Sequence, residues 1–320
     1  AQAPGAREGG MTGEAEREAS VVARLWIYHG DRFPLIQTVP LLGAFSAASV
    51  TASARLAGRP LPDIATYLAA FLIVMVFFWQ MRALDEVKDA EIDRRYRPER
   101  PIPRGLVSLR LILWLAGLAA IPAAAAAYAL SPGVLILIIV AWAWLALMGV
   151  EFFVPEFLKK SPALYLVSHM AIMPLIDLVL TGCEWVPAGS VPDGIWTFLL
   201  FSFRIVCVVE FGRKIWSPEQ EREGVETYCS SWWIPRSLTA LAAMTGIAFV
   251  SLVICGFYLD RPLLTTVCGL VYLLPFLFVL ADFWKKPDSK RQKRLENLSG
   301  IWVLACYLIA AFTPFLGWQS

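Results

Sequence analysis

The sequence predicts an all-α, polytopic membrane protein of nine transmembrane helices. Three observations carry that reading. Hydrophobic residues make up 58% of the 320-residue chain and charged residues 17%, with a mean hydropathy of +0.60, a composition that excludes a water-soluble globular fold. Nine apolar runs are each long enough to cross a bilayer, which takes about 20 residues. The cations are distributed so that every second connection between those runs is basic. The net charge of +2 says little about partners, because the placement of the charges along the chain matters more than their sum; no nucleic acid is expected.

Residues 1–20 are acidic and small without an apolar core, which is not the pattern of a cleavable signal. From Glu14 to Tyr28, Val21, Val22, Leu25 and Trp26 recur at helical spacing, which predicts an interfacial helix ahead of the first span. The domain reading is therefore an N-terminal cytoplasmic or interfacial segment, 1–32, followed by a nine-helix membrane domain, 33–320. The spans are read at 34–55, 63–82, 107–130, 133–154, 162–181, 194–216, 235–258, 262–283 and 297–317, with kinks expected at Pro34, Pro40, Pro174 and Pro275. The six cysteines show no Cys-x-x-Cys spacing and most lie in apolar runs, so they are read as buried thiols.

The connections after spans two, four, six and eight hold 20 of the 28 Lys and Arg residues. Those on the other side hold only Arg55, Arg59 and Arg261. By the positive-inside rule the N-terminus is cytoplasmic, the C-terminus external, and the basic connections face the cytoplasm.

Two of these connections carry chemistry. Arg82 to Gly105 is a dense run of acids and bases following the apolar stretch Ile64 to Met81. At 100° per residue, Glu86, Asp89 and Asp93 fall within an arc of about 60° that also contains Arg82. Three carboxylates so close repel one another unless a cation sits among them, and hard oxygen donors suit Mg²⁺. A second run, Glu210 to Tyr228, closes span six, with Glu210, Arg213 and Lys214 on one helical face. Pro218 should end that helix and leave Glu219, Glu221 and Glu223 on the loop. Two carboxylate clusters accompanied by arginine and lysine are what a diphosphate with bridging Mg²⁺ requires. Charge runs that end membrane helices also serve as topology signals, and that reading accounts for the same cations.

The first run resembles a known motif. Asp85-Glu-Val-Lys-Asp-Ala-Glu-Ile-Asp93, followed by Arg97-Pro-Glu-Arg-Pro-Ile-Pro-Arg-Gly105, is similar to the first aspartate-rich motif of the UbiA-type intramembrane prenyltransferases, Asn-Asp-x-x-Asp-x-x-x-Asp with a trailing Arg-Pro-x-Arg-Pro-x-x-x-Gly. Asp85 stands at the family's asparagine, Glu86 at its first aspartate, and Asp89 and Asp93 are kept. The second motif departs: the family expects aspartates after Tyr-x-x-x-Lys, where this chain has Glu210-x-x-x-Lys214 and glutamates around Pro218. The only asparagine in the chain is Asn297, so the resemblance is to a divergent member.

The resemblance implies nine membrane helices in a bundle with a central cavity, and Mg²⁺-dependent transfer of a prenyl group from a prenyl diphosphate to an acceptor, often aromatic, within the bilayer. Glu86, Asp89 and Asp93 would hold Mg²⁺, with Glu210, Glu219 and Glu221 as candidates for a second metal. Arg82, Arg97, Arg100, Arg213 and Lys214 would contact the diphosphate, and the site would open toward the cytoplasm. A terpene cyclase of the same fold and a transporter are the alternatives; transporter sites lie near the midplane, and these carboxylates lie at a helix end. Three ionisable residues inside the bilayer, away from the span ends, need comment: His169, Asp177 and Arg204. His169 is a candidate for acceptor deprotonation, and an Arg204–Asp177 pair is the structural reading. Phe77, Phe78, Trp79, Trp232 and Trp233 are candidates for prenyl contact or for an interfacial aromatic belt.

Overall fold

The structure, a computed structural model, describes residues 18–222 and 227–315. The opening 17 residues, Glu223 and Gly224 lie outside the described residues. All regular structure among the described residues is helical. Nine helices there are long and apolar enough to cross a membrane: Leu35–Leu56, Ile64–Lys88, Leu109–Leu130, Pro132–Gly149, Ala163–Trp185, Ile195–Arg213, Ile234–Tyr258, Pro262–Lys285 and Ser289–Phe315. They are called spans one to nine below. The all-α, nine-span expectation holds.

The ends and kinks differ where local chemistry decides. Span nine begins at Ser289, ahead of its apolar run, because Asp288 caps it by accepting from the Arg291 amide at 2.9 Å. Span four stops at Gly149, where Glu151, Phe152 and Phe153 all take left-handed φ values of 49°, 52° and 59°. Span five is interrupted at Ala171, three positions before Pro174. Span three is interrupted in the same way at Ala119, three before Pro122, a kink the sequence reading did not expect. In each case a proline takes away one amide and its ring crowds the preceding turn. Pro40 and Pro275 are carried within uninterrupted helices.

The chain divides into two compact units. The smaller comprises Ala1–Pro40 and Phe78–Ala120. Its described part holds the helix Val21–Arg32, the end of span two, a short helix Ala90–Tyr96, the Arg-Pro segment and the start of span three. Ser20 caps Val21–Arg32 by accepting from the Ala23 amide, and Gln80 ties span two to the Ala116 carbonyl of span three at 3.2 Å.

The larger unit comprises Leu41–Phe77 and Ile121–Ser320. Here span six packs against spans five, seven and nine, span seven against eight, eight against nine, and four against five. Small residues let these helices approach: a Cβ on Gly212 of span six would lie 2.1 Å from Ser299 Oγ of span nine. The core of this unit contains a hydroxyl-rich network. Asp177 of span five, fully buried, accepts from Ser49 Oγ at 2.5 Å, from Tyr307 Oη at 2.6 Å and from Ser202 Oγ, so spans one, five, six and nine meet at one carboxyl. Toward the end of span five, Glu184 takes two hydrogen bonds from Arg59, at 2.6 and 2.9 Å, and one from Ser53 at 2.6 Å.

Candidate functional site

In the smaller unit, span two runs on past its apolar stretch to Lys88, breaks at Asp89 and resumes as Ala90–Tyr96. The near-helical path keeps Glu86, Asp89 and Asp93 close in register, but their surroundings differ. Glu86 is 3% exposed and Asp93 2%, whereas the Asp89 side chain is 41% exposed. Each buried acid already has cations. Arg32 Nε donates to Glu86 Oε1 at 2.5 Å, and Tyr28 Oη approaches the same oxygen at 3.3 Å. Asp93 receives Arg100 Nη1 at 2.5 Å and Arg97 Nη1 at 3.4 Å, and Arg100 also lies 3.8 Å from Asp89. Arg82 sits 3.6 Å from Asp85. Gly105, at the end of the Arg-Pro segment, has φ +78°, a backbone state open to glycine without strain, which accounts for a glycine at the end of this motif.

Tyr28 and Arg32 are the residues the sequence reading missed. The spacing i, i+4 on an amphipathic helix was the available signal, since it puts both on the face that docks. That face is fixed by an aromatic cluster: Trp79 meets Tyr28 edge-on at 5.9 Å, stacks on His29 at 4.7 Å and meets Phe33 at 5.6 Å. Asp31 adds a pair with Arg104 at 3.3 Å. Burial, then the neighbouring Glu86 carboxylate, push the Tyr28 phenol well above its usual range. Burial opposes charge on Arg32, but its hydrogen bond and charge contact with Glu86 outweigh that and raise its pKa. Burial lowers the pKa of His29.

In the larger unit, Glu210 near the end of span six is paired with Arg213 at 2.7 Å and Lys214 at 2.8 Å, the one-face arrangement expected for these three. The loop glutamates go elsewhere. Glu219 accepts from the Ser289 hydroxyl at 2.5 Å and its amide at 3.1 Å, two bonds that lower its pKa. Glu221 accepts from Thr227 Oγ1 at 2.6 Å. Tyr228 stacks on Phe211 at 4.4 Å, with Trp232 beside both at 5.1 and 6.0 Å. Trp233 is 79% exposed.

His169 of span five is buried. Its Nδ1 lies 3.0 Å from the Tyr165 carbonyl oxygen, its Nε2 lies 3.2 Å from Glu151 Oε2, and its ring stacks on Tyr165 at 3.8 Å. Lys214 Nζ lies 5.6 Å from the centre of the Tyr165 ring, which links His169 by contact to Glu210. Glu151 reaches His169 from the left-handed turn after span four; three such residues in succession cost about 1–2 kcal/mol each. Arg204 does not pair with Asp177: its Nη1 donates to Ser251 Oγ at 2.5 Å, and the hydroxyls of Ser49, Ser202 and Tyr307 serve Asp177 instead.

Among the described residues no group of three or more His, Cys, Asp or Glu side chains is arranged to hold a metal ion. The chemistry of the donors in the first cluster still fits a hard divalent cation, being carboxylate oxygen throughout, with Asp89 accessible. At Glu86 and Asp93 such a cation would join or replace a guanidinium.

With nine membrane-crossing helices among the described residues and an arginine-paired acidic run at the end of span two, this is an integral multi-pass membrane protein. It belongs to the UbiA prenyltransferase family, which it matches over residues 45–304. Among solved structures it resembles that of a digeranylgeranylglyceryl phosphate synthase, with TM-score 0.62 and 15% identity over 92% of this chain and 99% of the other. It also resembles the apo structure of a UbiA homolog from Aeropyrum pernix K1, with TM-score 0.65 and 18% identity over 82% and 94%. At these identities the likeness is one of fold. A digeranylgeranylglyceryl phosphate synthase of Thermococcus kodakarensis is 39% identical over 54 residues, 17% of this chain and 20% of that relative, so the match spans about a fifth of its length.

Proposed function

We propose that this protein transfers a prenyl group from a prenyl diphosphate to an acceptor within the membrane, with Mg²⁺ held by Glu86, Asp89 and Asp93. The observation that carries the reading is the acidic run with its Arg97 and Arg100 partners in a chain of the UbiA family. The chemistry supplied by Mg²⁺ held there is neutralisation of the diphosphate oxygens as the allylic carbon–oxygen bond breaks. Arg97, Arg100 and Arg82 then bind and orient the anionic end of the substrate, since guanidinium groups match phosphate oxygens in pairs. In the larger unit Glu210 pairs with Arg213 and Lys214, two cations whose chemistry also suits a diphosphate. Glu219 and Glu221 fit the role of loop fasteners better than that of metal ligands, because each is spent on a hydroxyl.

The acceptor expected from the family resemblance is aromatic. The local match to a digeranylgeranylglyceryl phosphate synthase favours a second reading, in which the acceptor is the hydroxyl of a lipid glyceryl phosphate. The proposed topology puts the N-terminus in the cytoplasm, the C-terminus outside, and the acidic run on the cytoplasmic face.

The test is to incubate purified protein with labelled prenyl diphosphates, Mg²⁺ and phenolic or hydroxyl acceptors, and to identify products by mass spectrometry. Parent protein should form prenylated acceptor, EDTA should abolish it, and Asp89→Ala should slow it by orders of magnitude. Turnover by Asp89→Ala equal to the parent's would overturn the assignment. A cyclised hydrocarbon formed without acceptor would point to the cyclase.

A further inference from the structure

The smaller unit holds a cavity that prenyl transfer does not use. It measures about 210 Å³, with Val21 and Arg24 of the helix Val21–Arg32 on one wall and Gly105, Ser108 and Leu111, at the start of span three, on the other. We propose that this cavity binds the phosphate of an anionic membrane lipid, whose acyl chain runs down span three, and that the lipid fastens the N-terminal helix to that span.

The charge comes first. Arg24 Nε is enclosed by protein and has no hydrogen-bond partner, and its guanidinium forms no ion pair among the described residues. Its neighbours in the unit are served: Arg32 by Glu86, Arg97 and Arg100 by Asp93, and Arg104 by Asp31. A buried charged N–H normally finds an acceptor, because leaving it without one is costly. The opposite wall adds to the positive field. Ser108 caps span three by accepting from the Leu111 amide at 3.2 Å, which leaves the amides of Leu109 and Arg110 without a partner inside the helix. The first turn contains no acid and instead carries Arg110, exposed and without an ion pair among the described residues, so a cation sits at the positive end of a helix. No carboxylate lines the cavity. Two guanidiniums and a helix start call for an anion with several acceptor oxygens, which is the chemistry of a phosphate.

The apolar surface on both sides makes that phosphate a lipid's. Val22 and Trp26, one turn apart, are exposed on the N-terminal helix, and apolar side chains displayed beside an arginine are the surface of a helix lying in a bilayer interface. Across the cavity, Leu111 is followed at i+3 and i+7 by Trp114 and Leu118, which are 62% and 53% exposed. An apolar track about 10 Å long therefore leads from the cavity along span three toward the bilayer core. A soluble anion would use neither surface. Basic pockets at the ends of membrane helices are suited to lipid head groups for this reason. Span three begins at the membrane face where span two ends, so the lipid belongs to the leaflet beside the acidic run.

A lipid held there touches both walls and opposes undocking of the helix that brings Tyr28 and Arg32 to Glu86. Because it binds the docked form alone, stability rises with its concentration.

The experiment uses the full-length protein, delipidated in a neutral detergent. Dioleoylphosphatidylglycerol, dioleoylphosphatidylcholine or inorganic phosphate is added, bound lipid is counted by native mass spectrometry, and stability is read by thermal unfolding. Phosphatidylglycerol should bind saturably and raise the melting temperature. Phosphatidylcholine, whose choline cancels the phosphate charge, and inorganic phosphate, which has no chain, should do neither over the same range. Arg24→Gln should weaken phosphatidylglycerol binding about fivefold and Arg24→Glu about 25-fold, the effect of one and two charges beside a membrane phosphate. Arg24→Lys should stay close to the parent, and so should Lys290→Gln, which removes an exposed cation of the larger unit. Equal weakening by Arg24→Gln and Lys290→Gln would reveal attraction by net charge and overturn the site. Weakening by Arg24→Lys as large as by Arg24→Gln would reveal a packing role and overturn it too. Stabilisation by inorganic phosphate equal to that by phosphatidylglycerol would assign the cavity to a free anion and overturn the lipid. Binding is the readout, so the outcome is independent of whether the protein transfers a prenyl group.

Discussion

Arg32→Ala should be among the most destabilising single changes in the smaller unit, and the structure gives the reason and the size. Arg32 and Glu86 have side chains only 10% and 3% exposed, joined at 2.5 Å. Removing the guanidinium leaves a carboxylate that water barely reaches, with the Tyr28 hydroxyl at 3.3 Å beside it. Breaking a buried pair by deleting one member costs about 3–5 kcal/mol. The helix Val21–Arg32 can escape by undocking, but it would then expose Tyr28, now fully buried, at a cost of about 1.5–3 kcal/mol. The expected loss is therefore about 2–5 kcal/mol, a fall in melting temperature on the order of 5–15 °C. Thermal unfolding of Arg32→Ala, Glu86→Gln and the double variant gives the coupling directly. The double variant should be more stable than Arg32→Ala alone, since the uncompensated charge is gone. A loss below about 1 kcal/mol, the range of solvent-exposed ion pairs, together with additive effects of the two changes, would refute the reasoning.

Gly212→Ala should lower stability by about 1–3 kcal/mol, because its Cβ would meet Ser299 Oγ at 2.1 Å and Ser299 Cβ at 2.6 Å; Ser299→Gly in the same chain should restore most of the melting temperature. Asp177→Ala would strand the hydroxyls of Ser49, Ser202 and Tyr307 at the core of the larger unit, costing about 2–4 kcal/mol by thermal unfolding, and Asp177→Asn should cost less than half as much. His29 has its pKa lowered by burial from 6.5, so the unfolded chain binds the proton more readily than the folded one. Stability is then lost as pH falls below about 6.5, and the melting temperature of His29→Gln should depend less on pH in that range than the parent's.

The parts of this protein governed by composition and period were legible in the sequence. Nine apolar runs became nine spans because each backbone group in a bilayer must be bonded within its own helix, which leaves a long apolar run little other choice. The first motif was legible because its residues are neighbours in sequence, and the face shared by Glu210, Arg213 and Lys214 followed from helical spacing alone. What could not be read depended on residues far apart in the chain. Arg32 reaches Glu86 across 54 positions, and Ser49 reaches Asp177 across 128. The expected Arg204–Asp177 pair failed for a physical reason: in an apolar bundle a carboxyl can be satisfied by hydroxyls on neighbouring helices, and nearness in the sequence list of charged residues says nothing about that. Glu151 was read as part of span four, 133–154; the helix instead ends at Gly149, and the left-handed turn that follows brings the Glu151 carboxylate to His169.

On the function proposed above, an acidic cluster that takes a divalent cation and a diphosphate must also exist without them, and bare carboxylates at 2–3% exposure would push one another apart. In the smaller unit Arg32 and Arg100 take that place, one on each buried acid, and the exposed Asp89 is left between them in sequence. A guanidinium is a fitting stand-in, because it bonds carboxylate before the substrate arrives and phosphate afterwards without changing its charge. Arg100 already lies 2.5 Å from Asp93 and 3.8 Å from Asp89, so on the proposed function a cation held at Asp89 would compete with it there and leave its guanidinium for phosphate oxygens. Substitution by lysine keeps the charge but removes the planar fork, so Arg100→Lys should keep the fold and weaken prenyl diphosphate binding, which calorimetry with the diphosphate alone would read directly.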